Sequence, residues 1–373
     1  MIYLDNAATT FPKPRGVYAA VRDAMVKYGA NPGRSAHAPA VETAGAVYDV
    51  RDKLAGFFGL NKPENAVFTL NTTHALNLAI NSALSSGDRV VTSVMEHNSV
   101  LRPLYAMGCE ISFFEPVFDD HFATIENFRR AAKGCKAAVF SILHNVNGYK
   151  LPFERIFSAC RAENLCIIAD CAQCAGYYDV NMHKHGIDML CVPGHKGLFG
   201  LCGSGALLVS EQWENKMKPL LHGGSGAMSQ SREMPPFLPE RLEAGTLAVV
   251  PIISMGAGID FVTSVGIDEL RYRSHIAAAY CRELLGNIRG VDIYPSFNSI
   301  VLFNIQNAQS FELENHLDSC GIALRSGFHC APLAHKYLNT PPHGALRASF
   351  GPFNTKKDAL RLAECVKKFS KKP

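Results

Sequence analysis

The chain has 373 residues, 47% of them hydrophobic and 19% charged, and a formal net charge of +4. That length exceeds the roughly 250–300 residues at which a single core stops growing, so two domains are expected, and the charge is too mild to imply a nucleic-acid partner. No membrane segment is expected, because the best candidate, residues 249 to 267, is broken by Pro251 and Asp260, whereas a spanning helix needs roughly 18 apolar residues.

From Met1 to Asn6 no basic stretch precedes an apolar one, so no export signal is read and a cytoplasmic location is expected. Twelve cysteines without a framework spacing then read as reduced thiols rather than disulfides. Between residues 15 and 210 helical patterns alternate with short apolar runs, at Ala66-Leu70, Arg89-Val94, Glu110-Phe114, Ala137-Leu143, Leu165-Ala169, Met189-Val192 and Ala206-Val209. This alternation predicts an α/β domain with a mostly parallel central sheet, whose ligands sit beyond the carboxyl ends of the strands. A Gly-, Ser- and Pro-rich loop spans Leu221 to Pro239 and precedes a helix near Val250 to Val265. The remainder predicts two helices with strands at Ser299-Ile305 and Ala345-Phe350, as in a smaller α/β domain. The lysines of Lys367-Lys368-Phe369-Ser370-Lys371-Lys372 read as the solvated end of a C-terminal helix.

The residues that could carry chemistry follow the predicted strands. Asn71-Thr72-Thr73-His74 opens the helical pattern Ala75 to Leu84, so its hydroxyls and free N–H groups suit an anion such as phosphate, or Thr72 or Thr73 simply caps the helix. His97 follows Val94-Met95-Glu96, where an imidazole can stack on a planar ring or move protons. His144 and Asn145 follow the fourth run. Asp170-Cys171-Ala172-Gln173-Cys174 ends the fifth with a Cys-x-x-Cys, readable as a redox or metal pair or, more economically, as small packing residues around a polar Asp170 and Gln173. No second cysteine pair stands at zinc-site spacing, and no metal is expected.

Lys196 lies in Val192-Pro193-Gly194-His195-Lys196-Gly197, where an apolar strand delivers it into a glycine-rich turn. A lysine that condenses with an aldehyde needs a partly desolvated site, because its ordinary pKa of about 10.4 keeps it protonated. Paired with the carboxylate of Asp170 at the mouth of a buried strand, it suggests pyridoxal phosphate, whose ring nitrogen stays protonated beside a carboxylate. Near the C-terminus, Arg325-Ser326-Gly327-Phe328-His329-Cys330 sets an arginine and a histidine beside a thiol, which makes Cys330 the best nucleophile candidate. In Ala345-Leu346-Arg347-Ala348-Ser349-Phe350, Arg347 is buried or aimed into a cleft, and a substrate carboxylate would satisfy it.

These motifs, together with Tyr3-Leu4-Asp5-Asn6-Ala7-Ala8-Thr9-Thr10, Asn145-Val146-Asn147-Gly148 and Arg241-Leu242-Glu243-Ala244-Gly245-Thr246, resemble the cysteine desulfurase and selenocysteine lyase family of the class V aminotransferase fold. The spacing from Arg325 to Cys330 resembles its short cysteine-loop branch. The resemblance implies an α/β PLP-dependent transferase of fold type I, with a large domain over residues 15–255 and a small one from residues 1–14 and 256–373. It implies that Lys196 holds the cofactor, Asp170 pairs with its ring nitrogen, Gln173 and Asn145 contact its ring hydroxyl, and His97 stacks on the ring and takes part in catalysis. Thr72, Thr73 and His195 would hold the phosphate, with Thr246 reaching the site of a partner subunit, so a homodimer is implied.

Arg347, with Arg325, His37 and Asn145, would bind the substrate. L-cysteine, or selenocysteine, would then lose its sulfur or selenium to Cys330, and a sulfur-acceptor protein in iron–sulfur cluster assembly would receive it. Other readings are a selenocysteine lyase, another C–S lyase or an aminotransferase on the same cofactor, or a sulfur carrier without turnover. Three departures from the family pattern stand out: Pro193 in place of serine, Leu247-Ala248 after Gly245-Thr246, and Phe328 beside the cysteine segment.

Overall fold

The computed structural model describes residues 1–33 and 35–371, so Lys372 of the basic tail lies outside the described residues. Strands β1 (Ile2–Tyr3), β2 (Ala66–Thr69), β3 (Arg89–Ser93), β4 (Glu110–Phe114), β5 (Ala137–Ser141), β6 (Cys166–Asp170), β7 (Met189–Pro193) and β8 (Gly205–Val209) come first, with β9 (Val291–Ile293), β10 (Ile300–Ile305), β11 (Ile322–Ala323) and β12 (Leu346–Ser349) beyond the long helices. A seven-stranded sheet in the order β2-β8-β7-β6-β5-β3-β4 forms the large layer. Only β8 runs against the others, pairing antiparallel with both β2 and β7. The mostly parallel sheet expected from the alternating pattern is what forms.

Both faces of this sheet are covered, which is why its strands read as unbroken apolar runs. Ala138 and Phe140 of β5, Ile167 and Ala169 of β6, and Leu190 and Val192 of β7 enter one core. The intervening Ala137, Val139, Cys166, Ile168, Met189 and Cys191 enter the other. Successive side chains of a strand point to opposite faces, so a strand buried on both sides has no polar position to spare.

The smaller layer is the antiparallel sheet β12-β10-β9, with β1 and β11 paired parallel beside it. Helices Ile267–Gly286 and Lys356–Phe369 pack on it through a core that includes Leu4, Leu285, Phe303, Leu346 and Leu362. Two helices were expected here, but Ser310–Ser319 and Pro332–Tyr337 form as well. The first buries only Leu313 and Leu317 among its large apolar residues, too few for a periodic signal, and a Gln309–Glu312 capping box sets its start. The expected boundary at residue 255 falls inside the helix Val249–Val265, whose Ile252, Met255 and Ile259 pack into the large-sheet core. That helix runs through Asp260 with Pro251 in its first turn, and among the described residues no single helix is long and apolar enough to cross a membrane.

Candidate active site

The sheet register brings the predicted residues together before any side chain is considered. Thr69 of β2 and Pro193 of β7 both pair with Gly205 of β8, so Asn71-Thr72 and Gly194-His195 leave the sheet on either side of one strand. Ser141 pairs with Asp170, and Asp170 with Cys191, so the ends of β5, β6 and β7 stand in a row. The loops after β6 and β7 are pressed together at Gly176 and Gly197. A Cβ on Gly176 would overlap the carbonyl of Gly197, and one on Gly197 would overlap the carbonyl of Ala175. Glycine at both positions draws the Asp170 loop onto the Lys196 loop.

Lys196 sits in this row with its amine desolvated, which lowers its pKa to about 8 against the attraction of the Asp170 carboxylate. The amine is therefore neutral in a useful fraction near neutral pH. The N-terminal strap clamps the lysine turn from behind: Thr9 Oγ1 donates to the His195 carbonyl at 3.0 Å and Thr10 Oγ1 to the Lys196 carbonyl at 2.9 Å. Asp170 is buried, and burial raises its pKa against the N–H of Ala172, which donates to Oδ1 at 2.8 Å, and the pull of Lys196. Gln173 donates from Nε2 to the Ala7 carbonyl at 2.9 Å. Cys171 and Cys174, expected as reduced packing residues, form a disulfide with their Cα atoms 5.1 Å apart. Both are fully buried in the core behind Asp170, where a three-residue spacing in a turn brings two small side chains together.

At the anion end, neither threonine caps the helix Thr72–Ala83. Asn71 does so, its Oδ1 accepting from His74 N at 3.0 Å. Thr72 is thereby left buried with Oγ1 lacking a partner among the described residues, and His195 Nδ1 is likewise buried and unpartnered. Burial first, then the charges of Lys196 and Lys13, lower His195 to about 4, so it is neutral and carries a single ring proton. Thr73 is exposed and shares a hydrogen bond with Ser99 Oγ at 2.7 Å. Two orphaned polar atoms flanking the N-terminus of a twelve-residue helix are what a phosphate would satisfy.

His97 is the N-cap of the helix Asn98–Met107. Its Nδ1 accepts from Ser99 N at 3.0 Å, so the proton of the neutral ring is on Nε2. Desolvation, reinforced by Lys196, Arg325 and Arg347, lowers its pKa to about 4. Its neighbour Glu96 is entirely buried, with Oε2 held by Ser141 N and Oγ.

Cys330 is part-buried in a turn whose backbone is left-handed at both His329 (φ 50°) and Cys330 (φ 59°). Asn98 N donates to the Cys330 carbonyl at 2.7 Å, Asn145 Nδ2 to that of His329 at 2.8 Å, and Arg325 Nη2 to Cys330 Sγ at 3.7 Å. The backbone bridge between Arg325 and Arg347 sets the base of this turn beside the buried guanidinium. Arg347 is 1% exposed; Nη1 donates to the Asn145 carbonyl at 2.8 Å, Nη2 to Asp5 Oδ1 at 2.9 Å, and Nε has no partner among the described residues.

Two predicted residues are exposed and bond to residues outside this cluster. His37 is exposed and caps the helix Ala38–Phe58 by accepting from Ala40 N at 3.3 Å. Thr246 is exposed and accepts from Asn31 Nδ2 at 3.4 Å. Sequence reasoning missed Asp5 as the partner of Arg347, Asn71 as the cap, and Ser141 between two carboxylates. None has a local signal, since each acts on a residue remote in sequence or displaces a neighbour of similar capping propensity. Among the described residues no group of three or more His, Cys, Asp or Glu is placed to hold a metal ion. A groove of about 800 Å³ lined by Lys136, Arg161, Trp213 and Lys216 opens at the opposite ends of the strands, away from this cluster.

The aminotransferase class-V family model matches residues 2–362. The chain is 30% identical to a probable cysteine desulfurase of Halalkalibacterium halodurans, over 99% of its own length and 93% of that protein. It is 28% identical to a probable cysteine desulfurase of Methanothermobacter thermautotrophicus, over 99% and 94%. Among solved structures it superposes on a cysteine desulfurase of Thermococcus onnurineus NA1 with a TM-score of 0.90 at 28% identity, covering 99% of this chain and 94% of the other. A cysteine desulfurase of Escherichia coli gives 0.86 at 25%, covering 98% and 94%. The chain belongs to the class V aminotransferase family and is a pyridoxal-phosphate-dependent enzyme. The residues present fit that cofactor: a partly neutral lysine, a buried carboxylate one strand away, and unpartnered atoms on Thr72 and His195.

Proposed function

We propose that this enzyme is a cysteine desulfurase that releases alanine from L-cysteine and leaves the sulfur as a persulfide on Cys330. The observation that carries the reading is the pairing of Cys330, held at Sγ by Arg325, with Arg347, whose buried guanidinium keeps Nε unpartnered among the described residues. A thiol near a guanidinium that keeps one N–H unpartnered beside its Asp5 ion pair suits a substrate that brings both a carboxylate and a sulfur. The names of its relatives point the same way.

Lys196 would hold the cofactor, with Asp170 at the ring nitrogen, Gln173 and Asn145 at the ring hydroxyl, His97 over the ring, and Thr72, Thr73 and His195 at the phosphate. When bound, pyridoxal phosphate supplies an electron sink for the bonds of the substrate α-carbon. Arg347 orients the substrate carboxylate, and Lys196, once displaced by the substrate amine, takes the α-proton. Cys330 Sγ then attacks the substrate sulfur. The S–S bond forms as the Cβ–S bond breaks and its electron pair stays on Cβ; protonation at Cβ, return of a proton to the α-carbon from Lys196, and release of the amine as Lys196 takes the cofactor back would then yield alanine. His97, neutral with its single proton on Nε2, would offer a hydrogen bond to the reacting groups from over the ring.

Thr246, exposed on its own subunit, is read as serving the site of a partner, which makes the working unit a homodimer. The persulfide then passes to a sulfur-acceptor protein, in the cytoplasm and toward iron–sulfur cluster assembly. The test is alanine release from L-cysteine by cofactor-loaded protein with a reductant, run beside Cys330→Ala. Alanine from the unaltered protein alone supports the persulfide route. Equal turnover by Cys330→Ala rules it out.

A further inference from the structure

Ser141 Oγ lies 2.7 Å from Glu96 Oε2 and 3.3 Å from Asp170 Oδ2, so one hydroxyl stands between two buried carboxyl groups. A serine hydroxyl has one proton to donate, so it cannot donate to both. Ser141 N also donates to Glu96 Oε2 at 2.9 Å, which fixes that oxygen between the backbone and the hydroxyl. Glu96 is 0% exposed and belongs to none of the ion pairs formed by the described residues. The charge that acts on it most is that of Asp170, which opposes its ionisation. A second anion there would be buried, unpaired and next to the first, an arrangement that costs several kcal/mol.

We infer that Glu96 is a neutral acid whose proton, donated from Oε2 to Ser141 Oγ, turns the serine hydroxyl toward Asp170, making Glu96 and Ser141 the residues that orient the cofactor-facing carboxylate. The inference rests on the reading of Asp170 as the partner of the pyridoxal phosphate ring nitrogen. With the proton so placed, each hydrogen of the chain has one acceptor. In that arrangement Glu96 donates across the 2.7 Å contact to Ser141 Oγ, whose own proton is then free for Asp170 Oδ2, while Ala172 N donates to Asp170 Oδ1. Asp170 then receives a donor on each oxygen, which holds the plane of the carboxylate and favours its charged form. Burial raises Glu96 to about 8, which agrees with this assignment at neutral pH. Asp170, and Lys196 through it, are the charged groups on the neighbouring strands that act on the pair, and neutral His97 follows Glu96 on its own segment. Glu96 and Ser141 touch neither substrate nor cofactor in this scheme, so they position rather than catalyse.

The test is infrared spectroscopy of the cofactor-loaded protein at pH 7, with E96Q and S141A beside it, and measurement of cofactor affinity. The expected result is a carbonyl stretch of a protonated carboxylic acid in the unaltered protein that disappears in E96Q. S141A should retain the band, because Glu96 still lacks a cation, and should raise the dissociation constant for pyridoxal phosphate about tenfold, as expected for a hydrogen bond to a charged group. A band missing from the unaltered protein, a band that survives E96Q, or an unchanged cofactor affinity in S141A overturns the inference. If the unaltered protein takes up no pyridoxal phosphate, the underlying cofactor reading fails instead, and the two failures are told apart by the colour of the protein.

Discussion

Asp5 and Arg347, 342 residues apart, meet through a 2.9 Å hydrogen bond from Nη2 to Oδ1, and this contact ties the first turn of the chain to its last strand. The pair leaves Nε of a buried guanidinium unsatisfied among the described residues, while Nη1 is committed to the Asn145 carbonyl. The planar fork is held at two corners and open at the third. A lysine would keep the charge and lose this geometry. Arg347→Lys should therefore lower kcat/KM for L-cysteine about a hundredfold, mostly through KM, with cofactor still bound. Steady-state kinetics beside the absorbance of the bound cofactor checks it, and an unchanged KM would remove Arg347 from substrate binding.

The amine of Lys196 titrates near 8 rather than 10.5, and the sign of the consequence is fixed by which form reacts. The neutral amine attacks an aldehyde, so uptake of pyridoxal phosphate by cofactor-stripped protein should accelerate as pH rises from 6 to about 8 and level off above that. Were the amine ordinary, the rate would still be climbing about tenfold per pH unit at 9. Stopped-flow absorbance across this range separates the two, and Lys196→Ala should show no covalent uptake at any pH.

Much of this was legible because strand ends do two jobs in an α/β sheet. An apolar run buried on both faces announces the strand, and a polar residue that ends it marks the edge where α/β sheets bind ligands, as with Asp170 after Cys166–Ala169 and Lys196 after Met189–Pro193. What stayed illegible depends on chain closure. Nothing near Asp5 signals Arg347, and nothing near Glu96 signals Ser141, because each pair is set by the register of distant strands. Asn71, Thr72 and Thr73 have similar capping propensity, so only the backbone could decide among them. Ser310–Ser319 escaped detection because a short helix with two large buried apolar residues has no period to read.

Glu243 supports the segment before Thr246 without belonging to the cluster. Its two oxygens accept from Arg51 Nη1 and Nη2, both at 2.9 Å, and Oε1 also takes Phe68 N at 2.6 Å, with the Arg51 guanidinium 4.4 Å above the Phe68 ring. Removing one side of so buried a pair strands the other charge, at a cost of about 3–5 kcal/mol. Glu243→Ala should lower the urea midpoint accordingly, and Arg51→Met with Glu243→Leu should recover much of the loss. Equal destabilisation by the single and double changes would show that packing, not the stranded charge, sets the cost.

The Cys330 turn is held by a hydrogen-bond chain whose direction follows from its end. The Arg325 carbonyl can only accept, so His329 must donate to it from Nε2, at 3.2 Å. Burial pushes His329 well below the usual histidine range, so the ring is neutral and its Nδ1 is an acceptor. His335, also neutral with a pKa near 4, must then donate from Nε2 across 3.0 Å and accept at Nδ1 from Thr340 Oγ1 at 2.9 Å. This chain faces a backbone that needs restraint. Consecutive left-handed residues at His329 and Cys330 cost on the order of 1–3 kcal/mol each. His335→Phe keeps a ring in the pocket but leaves His329 Nδ1 without its donor, and the turn should relax. Alkylation of Cys330 by iodoacetamide, followed by peptide mass spectrometry, should accelerate several-fold while kcat for L-cysteine falls about tenfold and KM moves little, the signature of a displaced nucleophile rather than a lost substrate contact. His335→Gln offers an amide donor in the same direction and should restore part of kcat. If His335→Phe alters neither the alkylation rate nor kcat, the Asn98, Asn145 and Arg325 contacts alone are sufficient to hold the cysteine.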